Sequence, residues 1–477
     1  MQRLISLCLA AAGLALPLAA QSASPAPLPP EAQRTIDRLI ERGMADTVGL
    51  QFVEDLTTEI GPRLAGSDAE ARARDWSVAE LQALGFRNVR VEPFTIPYWS
   101  REIETAEIVS PAPQNLTITA LGGSTATPGG PIEAEIIRFP SMAALRAADP
   151  KQVEGKIVFI DEHMTRTQDG SGYGFAVRKR RNCAAVTAEK GGAACLIRSV
   201  GTQHHRFAHT GMMARGQAIG AGPAAAVSPP DADQLNRLLD RGPVTVRLHI
   251  DVETAEAAPS GNVIAEVPGR GALADEIVLI GCHLDSWDLG TGAIDDGAGC
   301  GIVVGAAKLV SELPGRTQRT IRVVLYGAEE VGLLGATAYA KAHADDLEKH
   351  VFASESDFGA GRIWRFQTRF GEGALPYAAA MQAALAPLGI VPGDNRANGG
   401  PDIGILARNG VPVVTPGQNG LDYFDLHHTP DDTFDKIEPE AFNQNVAAYA
   451  AFVWMAADMG WDFRETADTT ARNENAG

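Results

Sequence analysis

From about Asn262 onward, short unbroken apolar runs alternate with helix-patterned segments, and this alternation limits the chain to few folds. The runs EIVLIGC, IRVVLYGA, VFASESD and VPVVTPG lack the polar alternation of a half-exposed strand. They read as strands buried on both faces, and AGCGIVVGAAKLVSEL between the first two reads as a helix. Strands with two apolar faces need helices above and below them. The pattern therefore predicts an α/β fold with a mostly parallel central sheet flanked by helices. Open sheets of this kind hold ligands at the carboxyl ends of their strands. His283, Glu329, Glu330 and Asp357 all fall at those ends.

The rest of the chain reads differently. MQRLISLCLAAAGLALPLAAQSAS carries Arg3, an apolar run from Leu4 to Ala20 and then small residues, the form of a secretory signal peptide over 1–22. In GPRLAGSDAEARARDWSVAELQALGF, Ser67 is suited to an N-cap and Gly85 to a helix stop, and NVRVEPFTIPYW alternates like a strand. Residues 108–258 hold short strand-like runs with many Gly, Ala and Pro, and are expected to form a β-rich module inserted into the main domain. That main domain is split between 23–107 and 259–465, and 466–477 reads as a disordered polar tail.

A length of 477 residues fits this organisation, and a formal net charge of -18 argues against a nucleic-acid partner. No segment of the mature chain reaches membrane-spanning length, so an exported protein, periplasmic or secreted, is expected. Cys183 and Cys195 are a candidate bridge for an oxidising compartment, whereas Cys282 and Cys300, in apolar surroundings, read as inert packing residues.

The chemistry concentrates in GCHLDSWDLGTGAIDDGAG, Gly281 to Gly299. His283 follows a buried strand, Asp285 lies two residues on, and Asp295 sits in a glycine-rich turn. Each alone suits a solvated strand end as well as a ligand. Glu329 and Glu330 at the next strand end, Asp357 beyond the third, and His427 and His428 in HHTPDDT bring the same residue types from separate elements. Two histidines and three carboxylates form a nitrogen and oxygen set suited to zinc ahead of cobalt or manganese. Five ligands exceed the need of one catalytic zinc and fit two ions sharing a bridging carboxylate.

On HLDSWDLGTGAIDDGAG, AEE, ESD and HHTPDDT, with IGPRLAGS and IPYW upstream, the sequence resembles the co-catalytic zinc peptidases of family M28, in particular their plasma glutamate carboxypeptidase (carboxypeptidase Q) branch. The resemblance implies a zinc exopeptidase fold with an inserted protease-associated-like module. It implies His283 and Asp357 on one zinc, Glu330 and His428 on the other, and Asp295 bridging them, with a cis peptide between Asp295 and Asp296. Glu329 would be the general base toward water, and Asp285 would accept a hydrogen bond from the second nitrogen of His283. His428 is taken as the ligand because it stands four residues before Asp432-Thr433. His427, where many aminopeptidases of the family have Tyr, is a candidate contact to substrate or oxyanion.

An exported metallo-exopeptidase acting on dipeptides or short peptides with free termini, and a homodimer, are what this implies. An aminopeptidase acting on longer peptides would use the same metals and base, and a non-catalytic receptor-like protein would share the fold. The tract HHRFAH, with His204, His205 and His209, reads as a polar loop near the entrance, and Asp288 and Asp402 have no assignable role.

Overall fold

A computed structural model describes residues 23–213 and 221–466. The expected signal peptide, and the expected tail apart from Thr466, lie outside them. One sheet of 14 strands runs through the molecule. Its centre is the strand Ile277–His283, every residue of which is buried. Thr320–Tyr326 and His350–Glu355 flank it, both parallel, and Val413–Gln418 lies parallel beyond His350–Glu355. Antiparallel strands then appear on both sides, Ile363–Arg369 next to Val413–Gln418 and Thr245–Val267 next to Thr320–Tyr326.

Alternate side chains of the central strand feed different cores, as a period of two demands. Val278, Ile280 and Cys282 join the large core under the helices Ala298–Ser311 and Pro439–Asp458. Ile277 and Leu279 face the other layer, with Ala336, Tyr339, Ile403 and Leu406. This two-sided burial explains the unbroken apolar runs in the sequence. It also leaves polar residues room only at the strand ends.

Two long antiparallel strands, Arg87–Ser110 and Thr245–Val267, carry the chain out of this domain and back. The boundaries expected near 108 and 258 therefore fall inside continuous strands. Between them, Ile132–Phe139, Ile157–Ile160, Ala194–Arg198 and Ala224–Val227 form a parallel set that continues the same sheet. Helices Ser171–Glu189 and Pro229–Leu239 accompany it, so the segment expected to be β-rich has an α/β build.

Two disulfides are present. Cys183–Cys195 ties helix Ser171–Glu189 to strand Ala194–Arg198, with Cα atoms 6.0 Å apart. Cys282–Cys300, with Cα atoms 5.1 Å apart, corrects the reading of those residues as unbonded packing groups. The loop after His283 folds back so that helix Ala298–Ser311 starts beside the strand end, a contact that no spacing in the sequence reveals.

Candidate metal centre

The central strand ends on His283, and the turn Ala293–Gly297 returns Asp295 to it across a cis Asp295-Asp296 peptide. Glu329 and Glu330 follow Thr320–Tyr326, Asp357 follows His350–Glu355, and His428 follows the short helix Tyr423–Leu426. Parallel neighbours in a sheet end on the same edge. Side chains far apart in sequence are thus delivered to one place.

There Asp295 lies between two imidazoles. Its Oδ1 is 3.2 Å from His283 Nε2 and its Oδ2 is 3.2 Å from His428 Nε2. Asp357 Oδ1 stands 3.5 Å from His283 Nε2, and Glu330 Oε2 stands 2.9 Å from His428 Nε2. The five expected ligands therefore converge as two histidine and carboxylate sets joined by Asp295. Asp295 Oδ2 and Glu330 Oε1 are buried and take part in no hydrogen bond among the described residues. Orphaned carboxylate oxygens beside imidazole nitrogens fit divalent cations, which would satisfy lone pairs that the protein leaves unused.

The electrostatics agree with that fit. Burial pushes Glu330 up to about 8, even beside His428. Burial opposes charge on His428, yet the adjoining Glu330 and Asp295 raise it to about 10. Burial likewise works against charge on Asp295, but the adjoining imidazoles of His283 and His428 hold its carboxyl well below the usual range.

Asp285 works differently from the expectation. The Nδ1 of His283 lies 2.8 Å from the main-chain carbonyl of Asp285, while the carboxylate is 3.7 Å away. That carboxylate reaches the next strand end and accepts from the backbone N–H groups of Glu329 at 3.0 Å and Glu330 at 3.3 Å. It orients the proposed base and its neighbouring ligand, and the backbone carbonyl sets the imidazole tautomer. His427 stacks on His428 with ring centroids 3.5 Å apart, and burial holds its pKa well below the usual histidine range, so the ring is neutral.

Residues outside the expected ligand set support this group. Trp287 Nε1 donates to Glu330 Oε2 at 2.7 Å. The Asp432 carboxylate accepts from the backbone of Ile294 at 2.6 Å and Asp295 at 3.3 Å, fixing the bridging turn. Asp296 caps backbone N–H groups of His283 and Gly299. Arg63, from the motif IGPRLAGS, is fully buried and donates to the carbonyls of Leu284, Thr291 and Gly292, bracing the loop that carries Asp285. Asp288 forms an ion pair with Arg101 of the long strand Arg87–Ser110. Of the HHRFAH histidines, His204 and His205 are exposed. His209 is buried, with Nδ1 2.8 Å from the His427 carbonyl.

A cavity of about 200 Å³ opens on this floor. Glu329 and Glu330 line it from below, Tyr423 and Phe424 from the side, and Arg180, Met212 and Met213 from the inserted segment. The family model "Peptidase family M28" matches residues 262–453, which contain all five converging residues. Carboxypeptidase Q of Bos taurus is 31% identical over 427 residues, 89% of each chain. The chain belongs to peptidase family M28. Another M28 relative, carboxypeptidase Q of Rattus norvegicus, is 34% identical across 85% of this chain and 84% of its own. The crystal structure of a peptidase M28 precursor from Shewanella amazonensis SB2B shares 50% identity over 92% of this chain and 99% of that one, with a TM-score of 0.89. BSAP, a zinc aminopeptidase from Bacillus subtilis, has the same fold at 20% identity, with a TM-score of 0.64 over 88% of this chain and 98% of its own.

Proposed function

We propose that this M28 peptidase is an exported metallo-exopeptidase that hydrolyses dipeptides or short peptides with free termini, using two zinc ions per chain. The observation that carries the reading is the Asp295 carboxylate set between His283 and His428, with Asp357 and Glu330 completing two ligand sets and Glu329 on the cavity floor beside them. Zinc held by these residues would polarise the scissile carbonyl and lower the pKa of a bound water.

The chain supplies the remaining chemistry. Glu329, its backbone fixed by Asp285, takes a proton from the attacking water and returns it to the leaving amine nitrogen. Proton uptake and release at one carboxylate balance over the cycle, so no other residue needs to change charge. The neutral His427 ring, at the cavity wall, is positioned to donate a hydrogen bond to the carbonyl oxygen as it gains charge.

The small cavity supports short substrates, since pockets for drug-sized ligands run to roughly 300–1,000 Å³. Two disulfides in a chain of this kind fit an oxidising compartment and hence export. Purified protein is expected to hydrolyse an unblocked dipeptide such as Leu-Ala, to lose activity with a chelator and to regain it with zinc. Zinc-loaded protein inactive on unblocked dipeptides and on longer peptides alike would remove the proposal.

A further inference from the structure

We infer that His209 and Thr210 of the inserted segment are positioning residues that hold His428 in its ligating pose, so that the Glu330 and His428 set is completed from far upstream. The inference rests on the two-metal reading above and makes its two sets unequal. His209 ends the tract HHRFAH, for which the proposed chemistry has no use. Both residues are buried, and they stand behind the two histidines of HHTPDDT, off the cavity lining.

Three hydrogen bonds join the two stretches. A carbonyl oxygen only accepts, so the Nδ1 of His209, 2.8 Å from the His427 carbonyl, carries a hydrogen and donates it. The Thr210 backbone N–H donates to the His428 carbonyl at 3.1 Å. In return, His428 Nδ1 donates to the Thr210 carbonyl at 3.2 Å. That last bond keeps a hydrogen on Nδ1, so Nε2, which faces Glu330 Oε2 at 2.9 Å and Asp295 Oδ2 at 3.2 Å, is the nitrogen offered to a cation. The backbone needs such a hold. His428 has a φ of 62°, in the left-handed region that a non-glycine residue keeps only where its surroundings impose it.

His209 is itself fixed. Its backbone N–H donates to Ser199 Oγ at 3.1 Å, Gln203 Nε2 lies 3.3 Å from its Nε2, and its ring packs on Gly201, where a methyl group would overlap it. The same segment grips the helix Tyr423–Leu426 just before His427. The Thr202 N–H donates to the Phe424 carbonyl at 3.0 Å, and the Thr202 hydroxyl and Arg166 Nη2 both donate to Asp425 Oδ1 at 2.7 Å. His283 needs no such help, because its Nδ1 is held by the carbonyl of Asp285 on its own loop. A fault in the docked segment therefore reaches one imidazole and spares the other.

The test uses wild type, His209→Ala and His209→Asn. In zinc titrations against a competing chelator, wild type should take up two ions, and His209→Ala should lose about 10- to 100-fold in affinity at one of them, the usual cost of removing a partner that orients a ligand. His209→Asn keeps an N–H near the place of Nδ1 and should recover part of the loss. Arg166→Gln, at the more exposed end of the same contact, should weaken the same ion less. A crystal structure of His209→Ala at limiting zinc should show the ion at His283 and Asp357, with the other position depleted. Unchanged affinity at both positions, or an equal loss at both, would overturn the inference. A measurement on metal-free protein separates it from the metal reading. Amide exchange read by mass spectrometry should be faster over residues 421–432 in His209→Ala than in wild type, with 277–283 unchanged. Faster exchange in a protein whose wild type binds no zinc would sink the two-zinc reading and keep the hold on His428, whereas a wild type with two zinc ions that His209→Ala retains at full affinity would do the reverse.

Discussion

The floor and the wall of the cavity are built on opposite principles. The floor is acidic, most of its side chains come from the ends of adjacent parallel strands, and its backbone is braced by Asp285, Asp296, Asp432 and Arg63. The wall is cationic and apolar, and its cationic side comes from a helix and loop inserted far upstream, facing Tyr423 and Phe424. Strand ends place His283, Glu330 and Asp357 with little freedom because sheet pairing has already set their spacing, and loops bring Asp295 and His428 to them. The wall depends on side chains that the inserted segment brings to the cavity. The contrast suggests that chemistry belongs to the first region and substrate choice to the second.

The comparison can be broken most directly at the base. Glu329→Gln should lower kcat by about 10²- to 10⁴-fold with zinc content unchanged, the usual worth of a general base. A similar loss of zinc would show that the residue holds the site instead.

The disulfides offer a second contrast, since each region has one. Replacing either pair by Ala should cost about 3 kcal/mol of stability by loop-closure entropy, read from denaturant unfolding. Only the pair Cys282 and Cys300 should also weaken zinc binding, because it joins the residue before His283 to the helix after Asp296. Equal effects on zinc would erase the distinction between the regions.

Part of the stability against acid should be set away from the cavity. His350 opens a strand at the sheet edge remote from the ligands, and burial, then Arg322, lowers its pKa to about 4. The folded state therefore binds fewer protons than the unfolded one between the two pKa values. Its contribution is fully present above about pH 6.5 and is lost as pH falls through about 4, a span worth roughly 3 kcal/mol. His350→Gln should flatten that limb of the stability curve, and an unchanged limb would place the acid sensitivity elsewhere.

The smallest effect is expected at Trp287→Phe, which removes the hydrogen bond to Glu330 Oε2 and keeps most of the packing. Zinc affinity, measured by competition with a chelator, should fall about 10- to 100-fold. No change would mean that Glu330 is oriented by Asp285 and His428 alone.

Much of the floor was legible because its signals are local. His283, Glu329, Glu330 and Asp357 each sit at or just beyond the end of an apolar run, and the end of a buried strand is where a polar side chain can be placed. The carboxylate of Asp285 was assigned to the wrong partner, since its proximity to His283 in sequence gave no hint that the neighbouring strand offers two backbone donors. Trp287, Asp432 and Arg63 were missed for the same reason, as each acts on a residue supplied by another loop. Asp402 is fully buried with both carboxylate oxygens unpartnered, and burial together with Glu355 raises its pKa well above the usual range. Nothing in its motif shows that environment.

By itself, then, the sequence determined the class of fold and the kind of chemistry. Apolar runs with two buried faces require a helix-flanked parallel sheet, and His and carboxylate types at several strand ends require a shared task. Tertiary structure alone decided that Asp295 stands between His283 and His428, that Cys282 meets Cys300, and that Arg180 reaches the cavity from the inserted segment. The reason is physical. Periodicity and turn chemistry act over neighbouring residues, whereas these contacts follow from strand order and from two long antiparallel strands far apart in sequence.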